Sequence, residues 1–351
     1  MYTKPLWDPE NSLVYGESGL FKGSEPVRLL FPAEEILRLC NPALQQEYTP
    51  GVHFTHTPGS DLIYPVPGSG ICGIAEGAVY PDPASACCFP SPKADAITGG
   101  PDGKLLIFDN CSFFARHQFT VDYRAAAGTK FPELPAPDPA QLPRCCRKLR
   151  QGETLSVTLI GDSISEGYNA SEFVKVPPFA PPYINIFAQA LKRRTGTHIS
   201  VKNGAISGTG VREARFIEER WLDAPCDLLV IAYGMNDLNA MTPEEFREEV
   251  RLIMEKKRQR HPETEFIIVT SMTRHPVWLG ESTEISRNFA EAVKLLSAPE
   301  CAIADLHALW CRILEKKDFY DLTGNGVNHP NDFGHRIYSA VLENLFSHLQ
   351  Q

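Results

Sequence analysis

No stretch of this 351-residue sequence approaches the roughly 18 consecutive apolar residues that span a bilayer, which excludes a transmembrane helix. From Met1 to Gly19 no apolar segment follows a basic start, so the expectation is a cytoplasmic protein with no membrane partner. Basic charge is also short: 34 Lys and Arg face 43 Asp and Glu, and a net charge of −9 has the wrong sign for holding nucleic acid through its phosphates. The ten cysteines contain no C-x-x-C spacing, and the neighbours Cys87–Cys88 and Cys145–Cys146 cannot easily bridge each other. A disulfide scaffold is therefore excluded, and reduced, mostly buried thiols are expected. No repeat of fixed period is present, and helical periodicity is scarce in the first half.

What the chain does have is an ordinary globular composition, 43% hydrophobic and 22% charged, at a length that favours two domains. Its 29 prolines and 25 glycines imply many turns and edge strands. Apart from a short helical pattern at Ala33–Cys40, the first half reads as short apolar runs between Pro, Gly, Asp and Ser, which is β grammar. Phe113 to Arg124 alternates apolar and polar residues and predicts a half-buried strand, with Lys104–Phe108 as its hairpin partner across Asp109-Asn110. Five prolines, Pro132, Pro135, Pro137, Pro139 and Pro143, then mark a boundary. The organisation expected is a β-sandwich domain over 1–135, a Pro-rich, basic linker over 136–152 and a second domain over 153–351.

Beyond the linker, strands alternate with helices, the pattern of a parallel sheet covered on both faces, hence an α/β fold. The expected strands are Leu155–Gly161, Ile199–Asn203, Asp227–Gly234, Glu265–Met272 and Cys301–Asp305. Thr242-Pro243-Glu244-Glu245 predicts a capped helix start, Val211 to Trp221 is amphipathic, and a last helix is expected over Phe333–Leu349. Ligands of such sheets bind beyond the carboxyl ends of the strands, where this sequence places small and polar residues. These are Gly161-Asp162-Ser163, Asn203–Gly208 and Gly234-Met235-Asn236-Asp237, with Asn328-His329-Pro330 ahead of the last helix. A serine hydroxyl needs a base to become a nucleophile near neutrality, and the oxyanion it creates needs fixed N–H donors.

These four blocks, in this order, resemble the SGNH/GDSL hydrolases, serine esterases on a flavodoxin-like three-layer fold with a five-stranded parallel sheet. The resemblance covers roughly residues 155–350. It implies Ser163 as nucleophile, His329 as general base, and an oxyanion hole of Ser163 N–H, Gly208 N–H and the Asn236 amide, with no cofactor and no metal. The family usually carries an acid three residues before the histidine, where this sequence has Gly326. Either a backbone carbonyl orients His329, giving a Ser-His dyad, or Asp321 or Asp332 substitutes for the acid. Some family members that deacetylate carbohydrates have dyads and a preceding β-sandwich, jelly-roll-like domain. The implied function is removal of a short acyl group, acetyl first, from a small-molecule or oligosaccharide ester. A hydrolase of longer acyl chains and a silent carbohydrate-binding protein are the alternatives.

Several other residues take plainer readings. Asp162 and Asp237 are expected to be hydrogen-bonding loop residues, His53 and His56 incidental rather than metal ligands, and His307 and His335 structural. Arg274-His275 is expected near the site rim as a solvated loop, Tyr233 and Trp278 as core or rim packing with stacking on a sugar as the alternative, and the loop Ser165–Pro182 is a candidate pocket wall.

Overall fold

Along Phe119–Ala125 every second side chain is buried, and this strand lies at the centre of the first sheet. The computed structural model of the chain describes residues 4–280 and 283–349. The first unit contains β1 (Trp7–Asp8), β2 (Leu13–Gly19), β3 (Val27–Cys40), β4 (Phe54–His56), β5 (Ser60–Pro65), β6 (Ala96–Ile97), β7 (Leu106–Ile107) and β8 (Phe119–Ala125). Six of these form one antiparallel sheet in the order β1-β2-β8-β3-β5-β4, while β6 and β7 make a separate ribbon.

Three expectations for this unit need correction. Ala33–Cys40 is not helical but the second half of β3. Its register slips between Ala33 and Glu35 and again between Ile36 and Arg38, and these bulges stretch the two-residue alternation into steps of three that imitate a helix. Phe113–His117 is a helical turn rather than strand, because the Asp109 carboxylate accepts from Cys111 N at 3.1 Å and Phe113 N at 2.6 Å and so starts a turn there. The partner of Leu106–Ile107 is accordingly β6, in the register Ala96↔Ile107.

The second unit follows its sequence pattern closely. β9 (Leu155–Gly161), β10 (Ile199–Asn203), β11 (Leu228–Ala232), β12 (Glu265–Val269) and β13 (Cys301–Ala304) are all parallel, in the flavodoxin-like order β10-β9-β11-β12-β13. Helices Tyr183–Thr195, Pro243–Arg260, Thr283–Lys294, Leu306–Leu314 and Asp332–Asn344 flank the sheet. Thr242 Oγ1 accepts from Glu245 N and Glu245 Oε2 from Thr242 N, so the expected capping box is formed. Val211–Trp221 is instead a 3₁₀ stretch, Val211–Phe216, followed by one helical turn, Glu218–Trp221.

Within the stretch read as linker, Pro143–Arg150 is a helix that buries Cys145, Cys146 and Leu149. It is fastened by the buried Glu265 carboxylate, which accepts from Arg144 N at 2.7 Å and Cys145 N at 2.8 Å. One apolar core runs through both units, joining Val14, Phe119 and Tyr123 of the first to Phe333, Ile337 and Tyr338 of the second. A buried ion network also crosses the junction: Lys317 Nζ lies 2.9 Å from Glu17 Oε1 and 3.2 Å from Asp321 Oδ2. Loss of one partner from such a network costs about 3–5 kcal/mol. All ten cysteines are free thiols. Among the described residues, no helix is long and apolar enough to cross a membrane.

Candidate active site

The serine is presented by a turn that tolerates no side chain at its first position. A Cβ on Gly161, where β9 ends, would lie 2.4 Å from Ser165 Oγ and 2.5 Å from Ala232 O. Asp162 then caps the short helix Ser163–Glu166, its Oδ1 accepting from Ile164 N at 3.0 Å, and Ser163 takes the first helical position. Burial pushes the Asp162 carboxyl up to about 7. The same helix holds the next block: Glu166 Oε2 accepts from Ser207 N at 2.7 Å, and Asn203 Nδ2 donates to Ser165 O at 2.8 Å. Gly208 follows with φ +79°, left-handed backbone that suits glycine. Asp237 accepts from Val211 N at 2.9 Å and Gly234 N at 3.0 Å, which ties the third block to the second. Asn236 Nδ2 donates one hydrogen to Thr209 O at 2.9 Å and keeps its other N–H. Ser163 and Asn236 therefore follow β9 and β11, at the point where the strand order reverses and ligand crevices form.

The histidine reaches the same place from the last loop. Ser163 Oγ and His329 Nε2 are 2.9 Å apart, both residues being buried. On the other side of the ring, His329 Nδ1 lies 2.8 Å from Asn169 Oδ1. The Asn169 amide nitrogen faces carbonyls only, Gly324 O at 2.8 Å and Asp109 O and Cys111 O at 3.4 Å each, so its oxygen must face the imidazole. An oxygen acceptor at Nδ1 puts the ring proton there and leaves Nε2 as an acceptor for the serine hydroxyl. Burial, reinforced by His335, pushes His329 down to about 3, which keeps the ring neutral and basic in form.

Neither sequence expectation for the histidine's partner holds in this geometry. Asp321 is spent elsewhere, accepting from Leu20 N at 2.8 Å and pairing with Lys317. Asp332 accepts from Ser171 N at 2.7 Å at the start of the last helix. Burial raises both carboxyls to about 6. No backbone carbonyl takes the place of the acid either; a side-chain amide does. The residue lies six positions after Ser163, inside the loop read as a pocket wall. A search confined to carboxylates and backbone passes over it, although a carboxamide supplies the same single acceptor.

The remaining candidates scatter. Tyr233 is buried at 3% exposure and has no face open to a sugar, while Trp278 Nε1 donates to Thr98 O at 3.1 Å with the Arg274 guanidinium over its ring. His275 packs between Phe319 and Tyr320, and burial lowers it to about 4. His335 bonds Tyr168 O at 3.1 Å, and the Tyr168 ring stands edge-on to His329 at 5.3 Å. His307 meets Cys311 Sγ at 3.5 Å. His53 accepts from Thr49 N and His56 bonds Ser60 O, each within its own turn. No group of three or more metal-ligating side chains occurs among the described residues.

A serine in contact with a histidine beyond the carboxyl edge of a flavodoxin-like sheet is the arrangement expected of an SGNH-type hydrolase. Residues 159–337, half of the chain, match the model of the GDSL-like lipase/acylhydrolase family, and the chain belongs to that family of ester hydrolases. No curated protein matches the chain. Among solved structures it is similar to a two-domain esterase active on acetylated mannans, with 17% identity and a TM-score of 0.48 over 61% of this chain and 54% of that one. A member of the lipolytic G-D-S-L family from Veillonella parvula is similar over 56% of this chain and all, 100%, of its own, at 17% identity and a TM-score of 0.45. An acetylxylan esterase from Geobacillus stearothermophilus aligns over 55% of this chain and 94% of its own, at 17% identity and a TM-score of 0.42.

Proposed function

We propose that this ester hydrolase works through Ser163 and His329 on short-chain acyl esters, acetyl first, carried by a carbohydrate. The observation that carries the residue assignment is the 2.9 Å approach of Ser163 Oγ to His329 Nε2, with a neutral ring and an acceptor on its far side. His329 takes the serine proton as Oγ attacks the ester carbonyl, then returns it to the departing alcohol, leaving an acyl-serine. Water, deprotonated by the same nitrogen, releases the acid and regenerates the hydroxyl. Ser163 N–H, Gly208 N–H and the second Asn236 N–H are the donors for the oxyanion. Both Gly208 and Asn236 are exposed at the site mouth, in keeping with a substrate whose bulk stays outside. What supports the carbohydrate part is the domain order, an antiparallel β unit ahead of the hydrolase, which is the plan of the carbohydrate acetyl esterases the sequence resembles.

The test is a series of p-nitrophenyl esters from acetate to octanoate, followed by acetylated oligosaccharides. Acetate should be cleaved fastest of the series. Octanoate cleaved far faster than acetate would replace this reading with a lipase-like or thioesterase-like one. Sugar binding with no turnover of any ester would leave a silent binding protein.

A further inference from the structure

The carboxamide of Asn169 sits in a cradle built by both units. Its nitrogen is surrounded by three carbonyl oxygens, Gly324 O from the histidine loop and Asp109 O and Cys111 O from the first unit. The Asp109 carboxylate, by accepting from Cys111 N and Phe113 N, fixes the turn that carries those two carbonyls. The histidine loop is shaped to admit this arrangement. A Cβ on Gly324 would lie 2.5 Å from Asn169 Cβ, and one on Gly326, at φ +88°, would lie 2.6 Å from Ile107 O of the first unit. Asn325 Oδ1 gathers Val327 N, Asn328 N and His329 N at 3.0, 3.0 and 2.9 Å, while its Nδ2 reaches Asn110 Oδ1 at 3.2 Å. An acidic side chain at 326 would collide with the first unit. A carboxylate at 169 would turn its outer oxygen toward three carbonyl oxygens with no donor among them.

We propose that Asn169 is a positioning residue for His329, and that the Asp109–Cys111 backbone of the first unit makes this position selective for a carboxamide over a carboxylate. The inference rests on the Ser163–His329 reading above. The amide transfers no proton; it holds Nδ1–H so that Nε2 stays an acceptor. The titratable groups around the ring are otherwise engaged. His335 bonds Tyr168 O, Asp332 accepts from Ser171 N, Asp162 accepts from Ile164 N, and Asp109 accepts from its own turn.

The test uses the full chain and p-nitrophenyl acetate, comparing wild type, Asn169→Ala and Asn169→Asp for kcat and KM from about pH 5 to about pH 9, with ¹⁵N NMR of histidine-labelled protein. Asn169→Ala should lose on the order of 10²-fold or more in kcat at nearly unchanged KM, and its His329 tautomers should mix. Asn169→Asp should approach wild type only toward acid, where the buried carboxyl keeps its proton and mimics the amide. It should fall behind as pH rises. Asn169→Asp equal to or faster than wild type at about pH 8 would overturn the selectivity, and Asn169→Ala with wild-type kcat would overturn the positioning role. Should the alanine variant fail to fold, the wild-type spectrum still decides: Nδ1–H as the main tautomer supports the proposal, and Nε2–H contradicts it. Ser163→Ala with wild-type turnover would instead overturn the underlying reading, a result separable from all of these.

Discussion

The two halves of the active site are held in different ways. Around Ser163 every hold is local to the second unit: Asp162, Glu166, Asn203 and Asp237 bond backbone groups between Gly161 and Asp237. Around His329 the holds come from the first unit as well. Gln118 Nε2 donates to Tyr320 O at 2.7 Å and Thr323 O at 2.9 Å, its Oε1 accepts from Asn331 Nδ2 at 3.0 Å, and Asn110 meets Asn325. The β unit thus holds the loop that carries His329, the base of the proposed mechanism. The nucleophile's turn is a self-contained device, whereas the histidine loop is set from outside.

That contrast can be broken by substitution. Ser163→Ala should remove nearly all turnover of an activated acetate ester, on the order of 10³-fold or more, with an unchanged melting curve. Asn236→Ala, which deletes one of the proposed oxyanion donors at an exposed position, should lower kcat about 10²–10³-fold and leave stability intact. Gln118→Ala should behave differently because it strands two buried carbonyls, Tyr320 O and Thr323 O. Stability should drop by about 1–3 kcal/mol, and kcat by roughly 10-fold or more as His329 shifts. An unchanged kcat in a folded Gln118→Ala protein would show that the first unit does not set the base.

The smallest expected effect is on pH dependence. With His329 pushed down to about 3, kcat/KM should stay flat from about pH 8 to about pH 5 instead of falling near the ordinary histidine value of 6.5. A limb centred near neutrality would contradict the buried neutral ring. Stability is a poorer probe of the same group. His329, His335 and His275 have lowered values, so each loses stability as pH falls below 6.5. Asp162, Asp237, Asp321 and Asp332 have raised values, so each loses stability as pH climbs from 3.8 through about 6 or 7. The two sets oppose each other in one window.

What the sequence made legible follows the same division. The parallel strands were readable because each is a continuous apolar run ending in a small or polar turn, and Ser163 and Asn236 follow directly from those ends. The first unit was less readable: bulges in β3 and the Asp109 turn both change the side-chain period locally, and neither leaves a mark in composition. Asn169 escaped for a related reason. Its role depends on carbonyls at Asp109 and Cys111, some 60 positions away, and backbone acceptors carry no residue type to recognise. Gly324 and Gly326 were the visible trace of that approach, standing where an acid was expected.

The most direct measurement is to label the wild-type protein with an organophosphate ester that traps activated serines and to map the adduct by peptide mass spectrometry, with His329→Ala beside it. The account predicts a single adduct on Ser163 in wild type and none in the variant. An adduct on another residue, or equal labelling without His329, would contradict it.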